Sequence, residues 1–591
     1  MAKQARKQQQ QQQAKEEKEV VVKEVEKKEA VAEEQSSLQT FMLYAGILLA
    51  SRTVSVLYSV STDCDETMNY YEPTHYLLHG KGLQTWEYSP HYALRSWFYL
   101  LIHTVGAKLA RFVVNPELSI SSKLIEFYGI RLEIAILSSL SEAYLLLQAR
   151  RLCGRLTAFL CLCFLFFAPG MYAAGTAFLP SSFAMISLTA AYAGLLAGKE
   201  FFPILAACVA VLIAWPFVGL AAIPLGLALV FKQGVRSVPM HLFSLIFKGI
   251  LSLIIVVVPL LLVDSHFYGR TVLAPWQIVL YNVINQPEGG SALYGVEPWH
   301  FYILNGILNF NGAFLLALAS APLAILAALL CNRKSKKETS SYLSKGAFWA
   351  CLGAFYLWVG FMSLQPHKEE RFIFVVYPIL CFLAAVALSI IGSVAGKIFG
   401  PLKHVVLFLA VVCFAVISAS RIYAVQSGFS ASQDAWYHLG EVELAGEKKS
   451  EGPLNVCVGK EWYRYPSAFF LPTEKAEVKF ILSNFTGELP QPFGEHPWDE
   501  PLQPFNDLNK LEPSRYIDVD QCHYIVDQEF VGQAEPMYSK MDSQWEIIWS
   551  KDFLDAPKSP ALTRSFYIPT ISPKTNVYSK YLILKNKNID F

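Results

Sequence analysis

Apolar stretches of about twenty residues recur along the first 424 positions, and they constrain this chain more than any other feature. They fall near residues 41–60, 124–147, 156–174, 181–198, 202–215, 217–231, 241–263, 313–331, 346–363, 372–392 and 404–424. A bilayer-spanning helix needs ~20 such residues. The pattern therefore predicts a polytopic α-helical membrane protein with about eleven transmembrane helices. Around "IAWPFVG" the reading stays open between two spans and one long helix kinked at Pro216. With 53% hydrophobic and only 16% charged residues, the chain has the profile of a membrane protein carrying some soluble mass. Its formal net charge of +1 gives no reason to expect a nucleic-acid partner.

Residues 1–38 are Gln-rich and then alternate Lys with Glu. Such a tract reads as a solvated, charged tail. It is too long and too acidic for a secretory signal, so stretch 41–60 is expected to remain as an anchor. The short connections "QARRLCGR", "GKE", "FKQGVR", "NRKSKK" and "GKIFGPLK" are basic, whereas the alternate connection "APGMYAAGTAFLP" has no basic residue. Lys/Arg excess marks the cytoplasmic side. The tail is thus expected in the cytosol, and loops 62–122, 264–312 and 364–371 of the module 39–424 across the membrane. Within the first loop, "ALRSWFYLLIHTVGAKLARFV" is amphipathic and suits the interface.

An odd number of spans puts residues 425–591 on the same far side. That region is less apolar, has dispersed Pro, Gly and Asp, and is expected to be a soluble mixed α/β domain. It contains an N-glycosylation acceptor at Asn484. Cys457 and Cys522 would share an oxidising compartment and could pair. Cysteines inside apolar runs, such as Cys161, Cys163 and Cys413, read as packing residues, and without a CxxC pair a zinc site is not expected.

Three polar groupings then face one compartment: "DCDETMNYYEP", "LYGVEPWHFY" and "QPHKEERF". Each alone reads as an interfacial loop with snorkelling charges. Their concentration on one side favours a site. Acids of the first could act as a base. Lys368 and Arg371 of the third could bind an anion such as phosphate. The aromatic and hydrogen-bonding middle group suits sugars. Asp63-Cys64-Asp65 also has the DxD form that holds a divalent metal in nucleotide-sugar transferases. No further carboxylate or phosphate-cradling loop supports it, so no metal and no other cofactor is expected.

The run "DCDETMNYYEPTHYLLHGKGLQTWEYSPHYALRSW" resembles the first luminal loop of the dolichyl-phosphate-mannose-dependent mannosyltransferases of the endoplasmic reticulum. "PHKEERF" resembles their second signature, and "LYGVEPWHFY" lies where their large luminal loop would be. With the eleven-span layout, the likeness covers about residues 40–425. "CDETMNYYEPTHYL" and "YSPHYALRSW" are most similar to the α-1,2-mannosyltransferase branch of asparagine-linked glycosylation. The glycolipid-anchor enzymes usually carry His-Pro where this chain has Asp63-Cys64.

The resemblance implies a GT-C type bundle in the endoplasmic reticulum membrane, with the site and C-terminus luminal. It implies dolichyl-phosphate mannose as donor, a dolichyl-diphosphate oligosaccharide as acceptor, and addition of the seventh and ninth mannose by an inverting single displacement. Asp65 is then the candidate base, with Glu66 orienting it or the acceptor. Lys368 and Arg371 would hold the donor phosphate, helped by His367 and oriented by Glu369 and Glu370. Glu72 and His75, further along the same run, could line the same face. Tyr294, Trp299 and His300 could contact sugar or lipid.

Arg52 and Arg131, in or near apolar runs, are expected to pair inside the bundle with acids such as Glu133 or Glu142. Two rival classes are an anchor-synthesis mannosyltransferase and a lipid-linked sugar transporter. The chain shows no obvious two-half similarity of the kind many transporters have.

Overall fold

The computed structural model describes residues 34–114, 120–234, 238–284, 290–330, 345–446, 452–472, 475–501 and 503–589. The charged tail up to residue 33 and the basic loop "NRKSKK" lie outside these residues.

Each of the eleven apolar stretches is helical over most of its described residues. Six described helices are long and apolar enough to cross a bilayer: Glu34–Tyr58, Val238–Phe267, Gly312–Leu329, Gly346–Leu364, Glu370–Ile398 and Gly400–Phe429. Others are shorter, or fused. Helix Ser122–Phe167 joins two stretches across a bend at Gly154, whose φ of +88° is a conformation only glycine takes readily. At "IAWPFVG" the chain is broken. Trp215 is extended, as a residue before proline prefers, and Pro216 opens the next helical segment after it.

The apolar windows differ sharply in their surroundings. That of Glu370–Ile398 is 94% buried, which makes this helix the centre of the bundle. Those of Val238–Phe267 and Gly400–Phe429 are only 17% buried. Their outward residues include Phe243, Leu262 and Phe408, an apolar surface a membrane protein turns to lipid. The amphipathic helix Trp97–Val113 starts from a Ser96 cap, whose hydroxyl accepts the Tyr99 N–H at 3.3 Å. One face packs on Ser122–Phe167 so closely that a Cβ on Gly129 would lie 2.7 Å from the Gly106 carbonyl oxygen. The other face leaves Leu109, Phe112 and Val113 exposed.

The C-terminal region is a mixed α/β unit. Strands β2 (Leu454–Val458), β3 (Ala476–Phe480), β5 (Tyr524–Glu529), β6 (Trp545–Leu554) and β7 (Tyr578–Asn586) form one sheet in the order β3-β2-β5-β7-β6. β2 runs parallel to β3 and β5, while β7 is antiparallel to β5 and β6. β5 is buried along its whole length, as expected of a strand covered on both faces. Cys457 and Cys522 are joined as a disulfide beside Ile525, Trp545 and Leu584.

A two-stranded ribbon stitches this unit to the first loop. β1 (Leu83–Gln84) pairs antiparallel with β4 (Gln491–Pro492). Phe469 and Phe470 pack on Phe127 of the bundle, with ring centroids 6.4 and 5.0 Å apart. The apolar core therefore runs without a break from the bundle into the sheet.

Candidate active site

Asp65 sits where a helix begins. Asp63 is extended and caps the segment Cys64–Glu66 by accepting the Asp65 N–H at 3.0 Å, the usual use of Asp before a first turn. The run continues through a wide turn, Thr67–Tyr71, into Glu72–His79.

Arg371 reaches this segment from the end of the central helix. Its guanidinium donates to Asp63 Oδ1 at 2.9 Å and to Asp65 Oδ2 at 2.5 Å, and meets Glu369 Oε2 at 2.5 Å. A second cation, Arg95, lies 4.0 Å from Asp65. It is held by both oxygens of Glu87, at 2.7 and 3.0 Å, and donates to the Tyr70 hydroxyl at 2.8 Å. Three carboxylates thus share one guanidinium that stays 13% exposed, which leaves the cluster open to an incoming group.

The two aspartates respond differently. Burial raises Asp65, but Arg371 and then Arg95 outweigh it and hold the carboxyl below its ordinary range. Burial pushes Asp63 up to about 7 despite Arg371, with the Asp65 charge adding to the rise. Asp65 is the carboxylate that stays ionised. One donor atom each from Asp63, Cys64 and Asp65 lie within 4.8 Å of one another, close enough for a metal ion. Arg371 already bridges both carboxylates, so a cation there would have to displace it.

The other expected residues divide into two sets. His367 joins the cluster by hydrogen-bonding Glu369 at 2.9 Å and the Gly295 carbonyl at 3.0 Å. Tyr294 stands beside it, with ring centroids 6.4 Å apart. Lys368 is buried, and its ammonium donates to the carbonyls of Glu297 at 2.6 Å and Gln365 at 2.5 Å, locking two loops together. Glu66 is 3% exposed. Its oxygens accept the Phe178 N–H at 2.7 Å and the Ser61 hydroxyl at 2.9 Å, not a group of the cluster.

Glu72 and His75 do not line the face of Asp65. Glu72 accepts N–H groups of Ala468 at 2.6 Å and Leu83 at 3.0 Å, and the Ser467 hydroxyl at 3.1 Å. His75 bonds the Lys81 carbonyl and packs on Phe469, 5.0 Å between centroids. Both anchor the C-terminal unit. At the ordinary helical period seven residues would bring Glu72 onto the side of Asp65, but the wide turn at Thr67–Tyr71 rotates less per residue and leaves Glu72 facing elsewhere. Trp299 is 67% exposed and packs on His300. Glu370 accepts from Asn309 at 2.7 Å instead of orienting the cations. Asn484 is exposed on the C-terminal unit.

Inside the bundle, Arg52 meets Glu142 at 2.8 Å with both side chains fully buried. Arg131 donates instead to the Ser59 carbonyl at 3.1 Å, and Glu133 turns to Gly106 N–H and His103. The sequence reading missed Arg95. Its signal was an arginine between apolar residues in "YSPHYALRSW", a few positions after the acid Glu87.

Over residues 43–472 the chain matches the Alg9-like mannosyltransferase family. It is 39% identical over 554 residues to alpha-1,2-mannosyltransferase ALG9 of Homo sapiens, covering 91% of this chain and 87% of that protein. It is 37% identical over 588 residues to alpha-1,2-mannosyltransferase alg9 of Schizosaccharomyces pombe, covering 95% and 97%. Among solved structures, apo ArnT from Cupriavidus metallidurans aligns over 92% of this chain and 97% of that one, at 14% identity and a TM-score of 0.49. With the family match spanning most of the chain and relatives this similar over nearly their whole length, the chain belongs to the Alg9-like mannosyltransferase family.

Proposed function

We propose that this protein is an α-1,2-mannosyltransferase of the endoplasmic reticulum membrane. It takes mannose from dolichyl-phosphate mannose and adds it to a dolichyl-diphosphate oligosaccharide, as the seventh and the ninth mannose. The names of its relatives support the linkage formed. The observation that carries the mechanism is the contact between Asp65 and Arg371.

In this reading the donor phosphate draws Arg371, and with it His367, away from the acids. Phosphate is a strong bidentate partner for a guanidinium. Asp65, released from its cation, then takes the proton of the acceptor hydroxyl as that oxygen attacks C1 of mannose. The C1–O bond to phosphate breaks on the opposite face, and dolichyl phosphate leaves with the electron pair, its growing charge met by Arg371. A β-linked donor gives an α product by this single inversion. Lys368 acts at one remove, by fixing the loop that carries His367 and Arg371. The reaction needs no metal in this reading, because Arg371 supplies the positive charge.

A transporter would need no ionised acid beside a phosphate-binding arginine. Mass spectrometry of lipid-linked oligosaccharides from cells lacking the protein tests the assignment. The expected result is accumulation of a glycan truncated before an α-1,2 mannose, and a normal profile rules it out. Full transfer in the presence of chelator is expected of the purified protein. The basic connections support a luminal C-terminal unit. Asn484 is then expected to carry a glycan that endoglycosidase and Asn484→Gln both remove, and a cytosolic C-terminal tag refutes this orientation.

A further inference from the structure

Next to the acid cluster stands a group of aromatic rings that the reaction at Asp65 does not use. Trp86, in the short turn Trp86–Tyr88, lies 5.0 Å from Tyr92 and 5.3 Å from Tyr281, centroid to centroid. Tyr92 and Tyr281 are 6.4 Å apart. All three rings are half-buried. They come from two separate loops, and a third element closes the group. Asp507 of the C-terminal unit accepts from the Tyr281 hydroxyl at 3.4 Å. Burial, then Asp507 and Glu488, pushes Tyr92 up to about 12, so both carboxylates lie near it as well.

The group is continuous with the reacting end. Trp86 precedes Glu87, which holds Arg95 against Asp65. Tyr294 is 46% exposed. It stands beside His367, and after burial its phenol is raised by Glu87, Asp507, Asp65 and Glu488. One tyrosine thus senses the catalytic acid and the acids of the aromatic group together.

We infer that Trp86, Tyr92 and Tyr281, with Asp507, form a shelf that binds a mannose-bearing arm of the acceptor oligosaccharide. The inference rests on the transferase reading above. Two features select a sugar over a lipid chain. Aromatic faces carry negative potential and attract the polarised C–H groups of a pyranose ring. The adjoining carboxylates are acceptors without donors, matched to hydroxyls and costly to cover with hydrocarbon. An interfacial aromatic belt needs rings with a wet end but no acids pointed along them. The shelf also gives the C-terminal unit a share in choosing the acceptor, because Asp507 belongs to that unit.

The test uses the full-length protein in detergent and, as probe, free oligomannose released from its lipid, followed by saturation-transfer NMR. Maltohexaose serves as control. Trp86→Ala and Tyr281→Ala are expected to weaken binding at least about tenfold, the usual scale for a buried aromatic anchor. Asp507→Asn is expected to weaken it severalfold. In transfer assays the same variants should raise the acceptor KM while kcat and the donor KM hold. Should an alanine variant misfold, Tyr281→Leu, which removes the aromatic face but keeps most of the apolar bulk, and Asp507→Asn carry the measurement.

Unchanged oligomannose affinity in the folded variants overturns the shelf, even when the wild type transfers mannose. The same holds if the variants lose only partition into phosphatidylcholine vesicles, since the rings are then a membrane anchor. A wild type that binds oligomannose through these residues but transfers nothing overturns the transferase reading and leaves the shelf standing.

Discussion

Asp65 and Glu72 are acids on one helical run, about two turns apart, yet they are held by opposite kinds of partner. Asp65 faces guanidinium groups, Arg371 at 2.5 Å and Arg95 at 4.0 Å. Glu72 faces fixed backbone N–H groups of Ala468 and Leu83. A side-chain cation can swing to a better anion and leave its acid free. A backbone N–H cannot, so an acid bound that way is committed to structure. Exposure follows the same division, with 29% of the Asp65 side chain open against 1% of Glu72.

The largest effect expected from this contrast is at Asp65. Asp65→Asn keeps the shape of the side chain and a hydrogen bond to Arg371 but removes the base. Mannose transfer should fall by the ~10²–10⁴-fold credited to a general base, with both lipids still bound. Asp63→Asn should be far milder, since burial already raises that carboxyl to about 7. Equal losses in both variants, together with loss of transfer in chelator, would falsify the assignment and favour a metal held by the pair.

Next in size is Arg371. Removing a charged partner from a partly dry phosphate site typically costs a few kcal/mol, roughly a hundredfold. Arg371→Ala should therefore raise the donor KM and lower kcat together, because the same guanidinium binds the ground state and meets the leaving charge. Donor kinetics close to wild type would remove Arg371 from that role. Lys368→Ala acts differently: its ammonium serves two backbone carbonyls, so thermal stability and loop protection from hydrogen exchange should drop with kcat.

How much of this was legible without coordinates depends on the range of each interaction. The apolar stretches announce themselves, because every residue in them must suit the same solvent. That the "DCDET" acids and "HKEERF" meet was also foreseeable, since opposite charges gathered on one side of the membrane seek each other. The separate fates of Asp65 and Glu72 were not. They turn on a wide turn of five residues, Thr67–Tyr71, and on pairing between β1 and β4, two residues each. Elements that short carry no periodicity to read. Asp507 was hidden because its partner Tyr281 is distant in sequence, and Arg95 because the turn that sets it against Glu87, eight positions away, is only three residues long.

The third effect belongs to Glu72. Glu72→Ala leaves two backbone N–H groups and a hydroxyl without their acceptor in a site 1% exposed. Each unsatisfied buried group costs ~1–3 kcal/mol, so the C-terminal unit should loosen from the first loop. Lower thermal stability and faster proteolysis near Tyr465–Ser467 are expected, with kcat of the remaining folded protein changed far less than in Asp65→Asn. A stable Glu72→Ala protein with a collapsed kcat would break the comparison and return Glu72 to the chemistry.

The smallest effect is the most discriminating, because the two acids should give it with opposite sign. Asp65 is held below its ordinary range, since the cations outweigh burial. A depressed pKa contributes stability that is present above the unfolded value, ~3.9, and fades as pH falls through the folded value. The stability of wild type over Asp65→Asn should therefore shrink on acidification below about pH 4. Glu72 is raised, because burial outweighs the N–H groups of Ala468 and Leu83. Its neutral form stays satisfied, since the Ser467 hydroxyl can turn to accept from Oε1 at the same 3.1 Å. A raised pKa contributes stability present below the unfolded value, ~4.3, and lost as pH rises through the folded one. Wild type over Glu72→Gln should therefore gain as the medium becomes more acid. Thermal unfolding of the three proteins in detergent, from pH 7 down to about 2, covers both windows and measures both slopes. Parallel slopes would mean that the two carboxylates share one environment, and the division of labour between cation-held and backbone-held acids would fail with them.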